Sequence, residues 1–258
     1  MVEPLPCSER PVALVTGAAR RVGRAIALEL ARGGHDIALH CRRVDADAQA
    51  TLAELRANGV RAEPFAADLA DAAQCTALVG AVVERCGRLD VLVNNASTFE
   101  YDDVAGFDAA ALGRHCAVNT AAPVLLTRAL HAHLAARAAG GCAVNLLDQK
   151  LWNPNPDYFS YTLSKAALEA ATTLLAMALA PVLRVAGVAP GVTLPSGAMS
   201  AGQFEVAHRM TPLGRASTPE DVARAVRFVV ESPAVTGSTL LVDGGQHLAA
   251  QRRDVLFL

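Results

Sequence analysis

Seven short apolar runs alternate with longer stretches in which apolar residues recur every three or four positions. The runs are VALVTG (12–17), DIALHC (36–41), VRAEPFAADL (60–69), DVLVNNAS (90–97), CAVNLLD (142–148), LRVAGVAPG (183–191) and STLLVDGG (238–245). Each is rich in Val, Ile, Leu or Ala with turn residues at its ends, the pattern of a strand buried on both faces. Segments such as RAIALELARGG and DAQATLAELRANG carry helical spacing and end near Gly. The alternation predicts an α/β domain over residues 1–258, a doubly wound parallel sheet of about seven strands with helices on both faces. Residues 1–10 are expected to be a flexible N-terminal segment.

In an open parallel sheet, ligands bind at the carboxyl edge, near the point where the strand order reverses. The strands ending near Gly17, Asn95, Asp148 and Gly191 then share one cleft. Strand one runs into TGAARRVGRAIALEL (16–30), in which Gly17 and Gly23 have the spacing of the outer glycines of a dinucleotide loop. That loop needs a tight turn and a close helix–strand approach, with the helix N-terminus aimed at a pyrophosphate. The alternative is a tight strand–helix turn with no ligand. With the loop in place, the sheet is expected to be of the Rossmann type.

Strand two ends IALHCRR, with His40, Arg42 and Arg43 where an acidic residue would bind the ribose of NAD. Guanidinium groups match the oxygens of a 2′-phosphate and stay charged, so NADPH is expected over NADH. Asp148 ends strand five, and an Asp at such a point is either a turn former or a group of the cleft.

Composition narrows the function classes. The chain is 52% apolar and 19% charged, with a formal net charge of −2 and a pI near 6.4. Its cations are scattered, which argues against nucleic acid or an anionic membrane as partner. The start MVEPLPCSERP lacks the order of a secretory signal, and no uncharged apolar run reaches the roughly 18 residues of a membrane span. A cytoplasmic protein is expected. The six cysteines form no C-x-x-C pair and read as reduced core residues, and His131 and His133, two apart on a helix, point in different directions and are not expected to bind metal.

With Tyr161-x-x-x-Lys165, the TG…G loop and DVLVNNAS in order, the chain resembles the short-chain dehydrogenase/reductase family over nearly its full length. Further matches are ADL at 67–69, Asn119, PG at 190–191, PLGRASTPEDVARAV at 212–226 and VDGG at 242–245. The usual member has a serine thirteen residues before the tyrosine, where this chain has Asp148. Four departures together resemble the pteridine reductases, and among bacterial proteins the dihydromonapterin reductases: Asp148 for Ser, Arg21 for the middle loop glycine, the basic His40-Cys41-Arg42-Arg43, and Phe99 two residues after NNAS. The resemblance implies cofactor contacts from Gly17, Arg21, Val22, Gly23, His40, Arg42, Arg43, Asp68, Leu69, Asn95, Ala96, Ser97, Tyr161, Lys165, Pro190, Gly191 and Thr193. It implies a pterin substrate, of dihydropterin or biopterin type with dihydrofolate a candidate, held by Arg21, Ser97, Phe99, Asp148 and Tyr161.

Reducing a pterin needs a hydride, a proton on an adjacent ring nitrogen and a platform for a flat ring. Phe99 is either a core residue or the platform. Tyrosine, with a pKa of roughly 10, is a poor acid unless its anion is stabilised, and Lys165, one helical turn on, brings a positive charge. Asp148 can accept an N–H from the pterin's amino edge or, if protonated, donate to a ring nitrogen. The catalytic set is Asp148, Tyr161, Lys165 and Asn119, the last expected to hold a water relay behind Lys165, as similar enzymes suggest.

The stretch VTLPSGAMSAGQFEVAHRM (192–210) shows no regular pattern and is expected to be a substrate lid. The helix over 165–179 is apolar or small on nearly every side, and a helical segment over 112–139 is rich in Ala and Leu. Paired with symmetry mates, they predict an oligomer, as a homotetramer. The competing functions are an NADP-dependent carbonyl or 3-oxoacyl thioester reductase of the same family, and a dinucleotide-sensing protein without catalysis.

Overall fold

The computed structural model describes residues 9–195 and 199–257, so that residues 1–8 of the segment expected to be flexible lie outside the described residues. The strands form within the runs that predicted them, except that β5 starts one residue earlier: β1 Val12–Val15, β2 Asp36–Cys41, β3 Ala62–Ala66, β4 Val91–Asn94, β5 Gly141–Leu146, β6 Leu183–Pro190 and β7 Thr239–Val242. They make one sheet in the order β3-β2-β1-β4-β5-β6-β7, parallel at every pairing. The helices are α1 Arg21–Arg32, α2 Ala46–Ala57, α3 Ala72–Cys86, α4 Ala109–Cys116, α5 Ala122–Ala136, α6 Phe159–Leu179, α7 Ala201–Arg209 and α8 Pro219–Glu231. This is the Rossmann-type α/β fold.

Successive side chains of a strand point to opposite faces, and both faces are covered. On one, Ala13, Val15, Ile37, Leu39, Val91 and Val93 pack against Ile26 and Leu30 of α1, Leu52 and Leu55 of α2, and Val222 and Val226 of α8. On the other, Val12, Leu14, Ala38, Leu92 and Ala143 meet Leu78 and Val82 of α3, Leu126 and Leu130 of α5, and Ala176 of α6. Two dry faces explain why the strands read as continuous apolar runs rather than alternating ones. From β1 the chain adds β2 and β3 on one side, then crosses to β4 on the other, so a crevice opens at the carboxyl ends of β1 and β4.

Two expectations are corrected. The segment over 112–139 is not one regular helix: α4 and α5 are joined by a π turn, Ala117–Ala121. Pro123 has no N–H to give the carbonyl of Asn119, so the ladder changes register there. The stretch over 192–210 is in part regular, because Ser200 and Gln203 form a capping box that starts α7. Residues 196–198 of the stretch lie outside the described residues.

Candidate active site

The turn after β1 is held from below by Thr16. Its hydroxyl accepts the backbone N–H groups of Asn95, at 2.9 Å, and Ala96, at 3.0 Å, and so ties the first turn to the end of β4. Asn95 returns the contact, its Nδ2 donating to the Thr16 carbonyl at 2.9 Å. Gly17 has φ +63°, and a Cβ on Gly23 would stand 2.2 Å from the Gly17 carbonyl oxygen, so the loop and α1 approach as only glycines allow. No side chain caps the start of α1, which leaves its first N–H groups to an anion.

Arg21 occupies the middle glycine position in the left-handed region, with φ 55°. Its Nη2 donates to the Pro195 carbonyl at 2.8 Å and joins the loop to the segment after β6. Buried His40 is fastened on both sides: Nδ1 accepts Gly17 N–H at 3.2 Å, and Nε2 lies 3.1 Å from the Ala67 carbonyl. Burial pushes its pKa down, so the ring stays neutral and serves the loop's geometry rather than its charge. The cationic edge belongs to exposed Arg43 and to Arg42, 3.3 Å from the Asp68 carboxylate.

Asp148 follows β5 and starts a short 3₁₀ turn, Gln149–Leu151; its Oδ1 accepts the backbone N–H of Lys150 at 2.9 Å. The turn is therefore present, and the same carboxylate also faces the cleft: Oδ2 accepts the Tyr161 hydroxyl at 2.8 Å. Burial raises the Asp148 pKa above the usual carboxylate range, against the hydrogen bonds from Lys150 and Tyr161. Burial, then the Asp148 charge, pushes the Tyr161 phenol well above 10. Lys165 Nζ donates to the Leu146 carbonyl at 2.6 Å and lies 5.8 Å from the Tyr161 ring centroid. Burial lowers its pKa to about 8. The sequence argument gave Lys165 control of the phenol; in this structure desolvation and Asp148 outweigh it, and Tyr161 remains a protonated donor to Asp148.

Phe99 stacks on Tyr158, with ring centroids 4.2 Å apart, meets Tyr161 edge-on at 4.7 Å, and is still 39% exposed. Asn119 sits in the π turn with both ends of its amide engaged. Oδ1 accepts from the Ser97 hydroxyl and from Thr98 N–H, and Nδ2 donates to the Thr98 carbonyl and to Ser164 Oγ. Every candidate residue except Asn119 lines one cavity of about 920 Å³. The residues on its wall that sequence reasoning missed include Lys150, Gln251, Asp254 and Val255. Lys150 stands two residues from Asp148 and could have been suspected; the other three, close to the chain's end, carry no motif.

A glycine loop on an uncapped helix, facing a carboxylate and a phenol across one crevice, defines a dinucleotide-dependent oxidoreductase. The sequence model of a family described as enoyl-(acyl carrier protein) reductase matches residues 17–247. Pteridine reductase 1 of Leishmania tarentolae is 34% identical over 92% of this chain and 96% of its own. The 3-oxoacyl-[acyl-carrier-protein] reductase of Staphylococcus aureus is 33% identical over 92% and 98%. The crystal structure of the FolM alternative dihydrofolate reductase 1 of Brucella canis, complexed with NADP, superposes with a TM-score of 0.89 at 41% identity, over 95% of this chain and 96% of that one. The chain belongs to the short-chain dehydrogenase/reductase family. A pteridine-reductase-like subgroup is supported by the Leishmania and Brucella relatives.

Proposed function

We propose that the protein is an NADPH-dependent pterin reductase, adding a hydride to the pteridine ring and a proton to the adjacent ring nitrogen. The observation that carries this reading is the 2.8 Å contact from the Tyr161 hydroxyl to Asp148 Oδ2, at the point where a carbonyl-reducing relative would present a serine. The NADP-bound Brucella protein and the Leishmania pteridine reductase support it.

The residues present fit the cofactor: a Cβ on Gly23 would close the loop, the N–H groups starting α1 await a pyrophosphate, and Arg42 and Arg43 stand ready for a 2′-phosphate. Bound there, NADPH supplies the hydride. Phe99, backed by Tyr158, offers its exposed face to a flat ring. Asp148, its pKa raised by burial, holds the proton that goes to the ring nitrogen, and the Tyr161 hydroxyl stabilises the carboxylate left behind. Lys165 keeps a positive charge beside them below about pH 8. Asn119 braces residues 97–98 against α6, fixing the wall that carries Ser97 and Phe99.

The chain acts as one domain, in the cytoplasm, as a homotetramer. Leu174 and Met177 of α6 are 64% and 75% exposed, and a second copy packed on that face would cover them. Among the described residues no helix is long and apolar enough to cross a membrane.

A 3-oxoacyl reductase is the second reading, supported by the Staphylococcus relative. NADPH oxidation measured with dihydropterin, with an acetoacetyl thioester and with neither separates the two. Turnover of the thioester alone would overturn the pterin reading.

A further inference from the structure

Part of the cavity wall comes from the end of the chain, where Gln251, Asp254 and Val255 line the same space as Asp148 and Tyr161. Polar contacts hold this tail down. Arg253 Nε donates to both carboxylate oxygens of Asp157, at 3.0 and 2.8 Å, and the Asp254 N–H donates to Asp157 Oδ2 at 2.7 Å. Asn153 Nδ2 donates to the Ala249 carbonyl at 2.8 Å.

Lys150 lies between the tail and the Asp148 turn, only 4% exposed. Its Nζ stands 3.7 Å from Asp254 Oδ2, donates to the Asp157 carbonyl and sits 5.5 Å from the centroid of the Tyr158 ring, the ring on which Phe99 stacks. A buried ammonium is costly, and an apolar side chain of the same length would fill the space without that cost. The 3₁₀ turn does not need the charge, since the backbone N–H of Lys150 is what Asp148 receives. The charge is explained by what faces it: Asp148 at the end of β5, Asp157 ahead of α6 and Asp254 on the tail, with Lys165 beyond the first and Arg253 on the second. Asp148 has Tyr161 and Asp157 has Arg253, while the ion pair of Asp254 is with Lys150.

We propose that Lys150 is a positioning residue for the substrate, whose pairing with Asp254 holds the C-terminal tail as a wall of the substrate end of the cavity. The tail therefore belongs to the site, and substrate binding depends on its being docked.

Trypsin reads tail release directly, at Arg252 and Arg253, in the native enzyme and without any substrate. Lys150→Met keeps the stem and removes the charge; its tail is expected to be cut at least about tenfold faster than in the wild type, as the open state becomes more populated. Asp254→Asn should do the same, and Lys150→Arg should return the slow rate. With dihydropterin, Lys150→Met is expected to raise the KM by about tenfold while leaving the KM for NADPH unchanged, the sign of lost substrate binding. Cleavage at the wild-type rate in both Lys150→Met and Asp254→Asn overturns the proposal, and so does faster cleavage with an unchanged substrate KM. If Lys150→Met does not fold, Asp254→Asn decides by the same two readings. The KM arm alone rests on the pterin reading, so an enzyme inactive on pterins fails that reading and leaves the cleavage arm to decide this one.

Discussion

Replacing Asp148 with serine would give this chain the residue that the family resemblance assigns to a carbonyl-reducing member. The local fold should survive, because Asp148 starts its turn by accepting the Lys150 N–H and serine caps as well as aspartate. The change removes the acceptor of the Tyr161 hydroxyl, a hydrogen bond worth about 0.5–1.5 kcal/mol, and with it the cost of burying a carboxyl group, so net stability should move little. Catalysis should move much more. A positioned proton donor contributes roughly 10²- to 10⁴-fold. Serine has no proton of suitable acidity, and the remaining donor is a buried phenol. That phenol is a weak substitute donor, so the expected loss in kcat is at least about tenfold and at most about 10⁴-fold. The assay is steady-state NADPH oxidation with dihydropterin across pH, beside NADPH binding by fluorescence and a thermal melt. Wild-type activity should fall as pH rises through the raised pKa of Asp148, since the protonated form is the donor, and the serine variant should lack that limb. Turnover at the wild-type rate, with binding and melting unchanged, would reduce Asp148 to a turn residue.

Arg42→Ala with Arg43→Ala should weaken NADPH far more than NADH, as measured by the two KM values; equal losses would remove the 2′-phosphate assignment. Gly23→Ala should abolish NADPH binding in a fluorescence titration, because its Cβ would meet the Gly17 carbonyl at 2.2 Å, and binding at wild-type strength would show that the loop can yield. His40 is neutral when folded with its pKa lowered from 6.5, so the unfolded chain takes up a proton more readily and stability should decline as pH falls below about 6.5. Thermal melts should show a shallower decline for His40→Asn, whose amide oxygen still accepts from Gly17; parallel curves would deny His40 that part. Light scattering at micromolar concentration should return about four times the chain mass of 26.8 kDa, and a mass near one chain would mean that the exposed face of α6 stays uncovered.

Much of the architecture was local information. Strand positions, helix periodicity and the glycines at 17 and 23 follow from side-chain alternation and from conformations only glycine adopts without strain, and neither depends on distant residues. The candidates Gly17, Asn95, Asp148 and Gly191 could be gathered from sequence because a parallel sheet aligns all its carboxyl ends on one edge. Local reasoning also offered two alternatives for Asp148, a turn former or a group of the cleft. It failed where a side chain's behaviour is set by what surrounds it. The spacing of Tyr161 and Lys165 promises a lysine that acidifies a phenol, yet burial raises the phenol and lowers the lysine, and spacing carries no measure of burial. His40 reads as part of a basic edge and folds into a neutral brace between Gly17 and Ala67. Lys150 and Asp254, more than a hundred residues apart in the chain, meet only because the tail returns across the ends of the strands. Local patterns were enough to set the sheet, the loop and the chemical types available at its edge. Which groups are desolvated and which distant charges pair came only with the folded chain, because both depend on long-range contacts that no local pattern encodes.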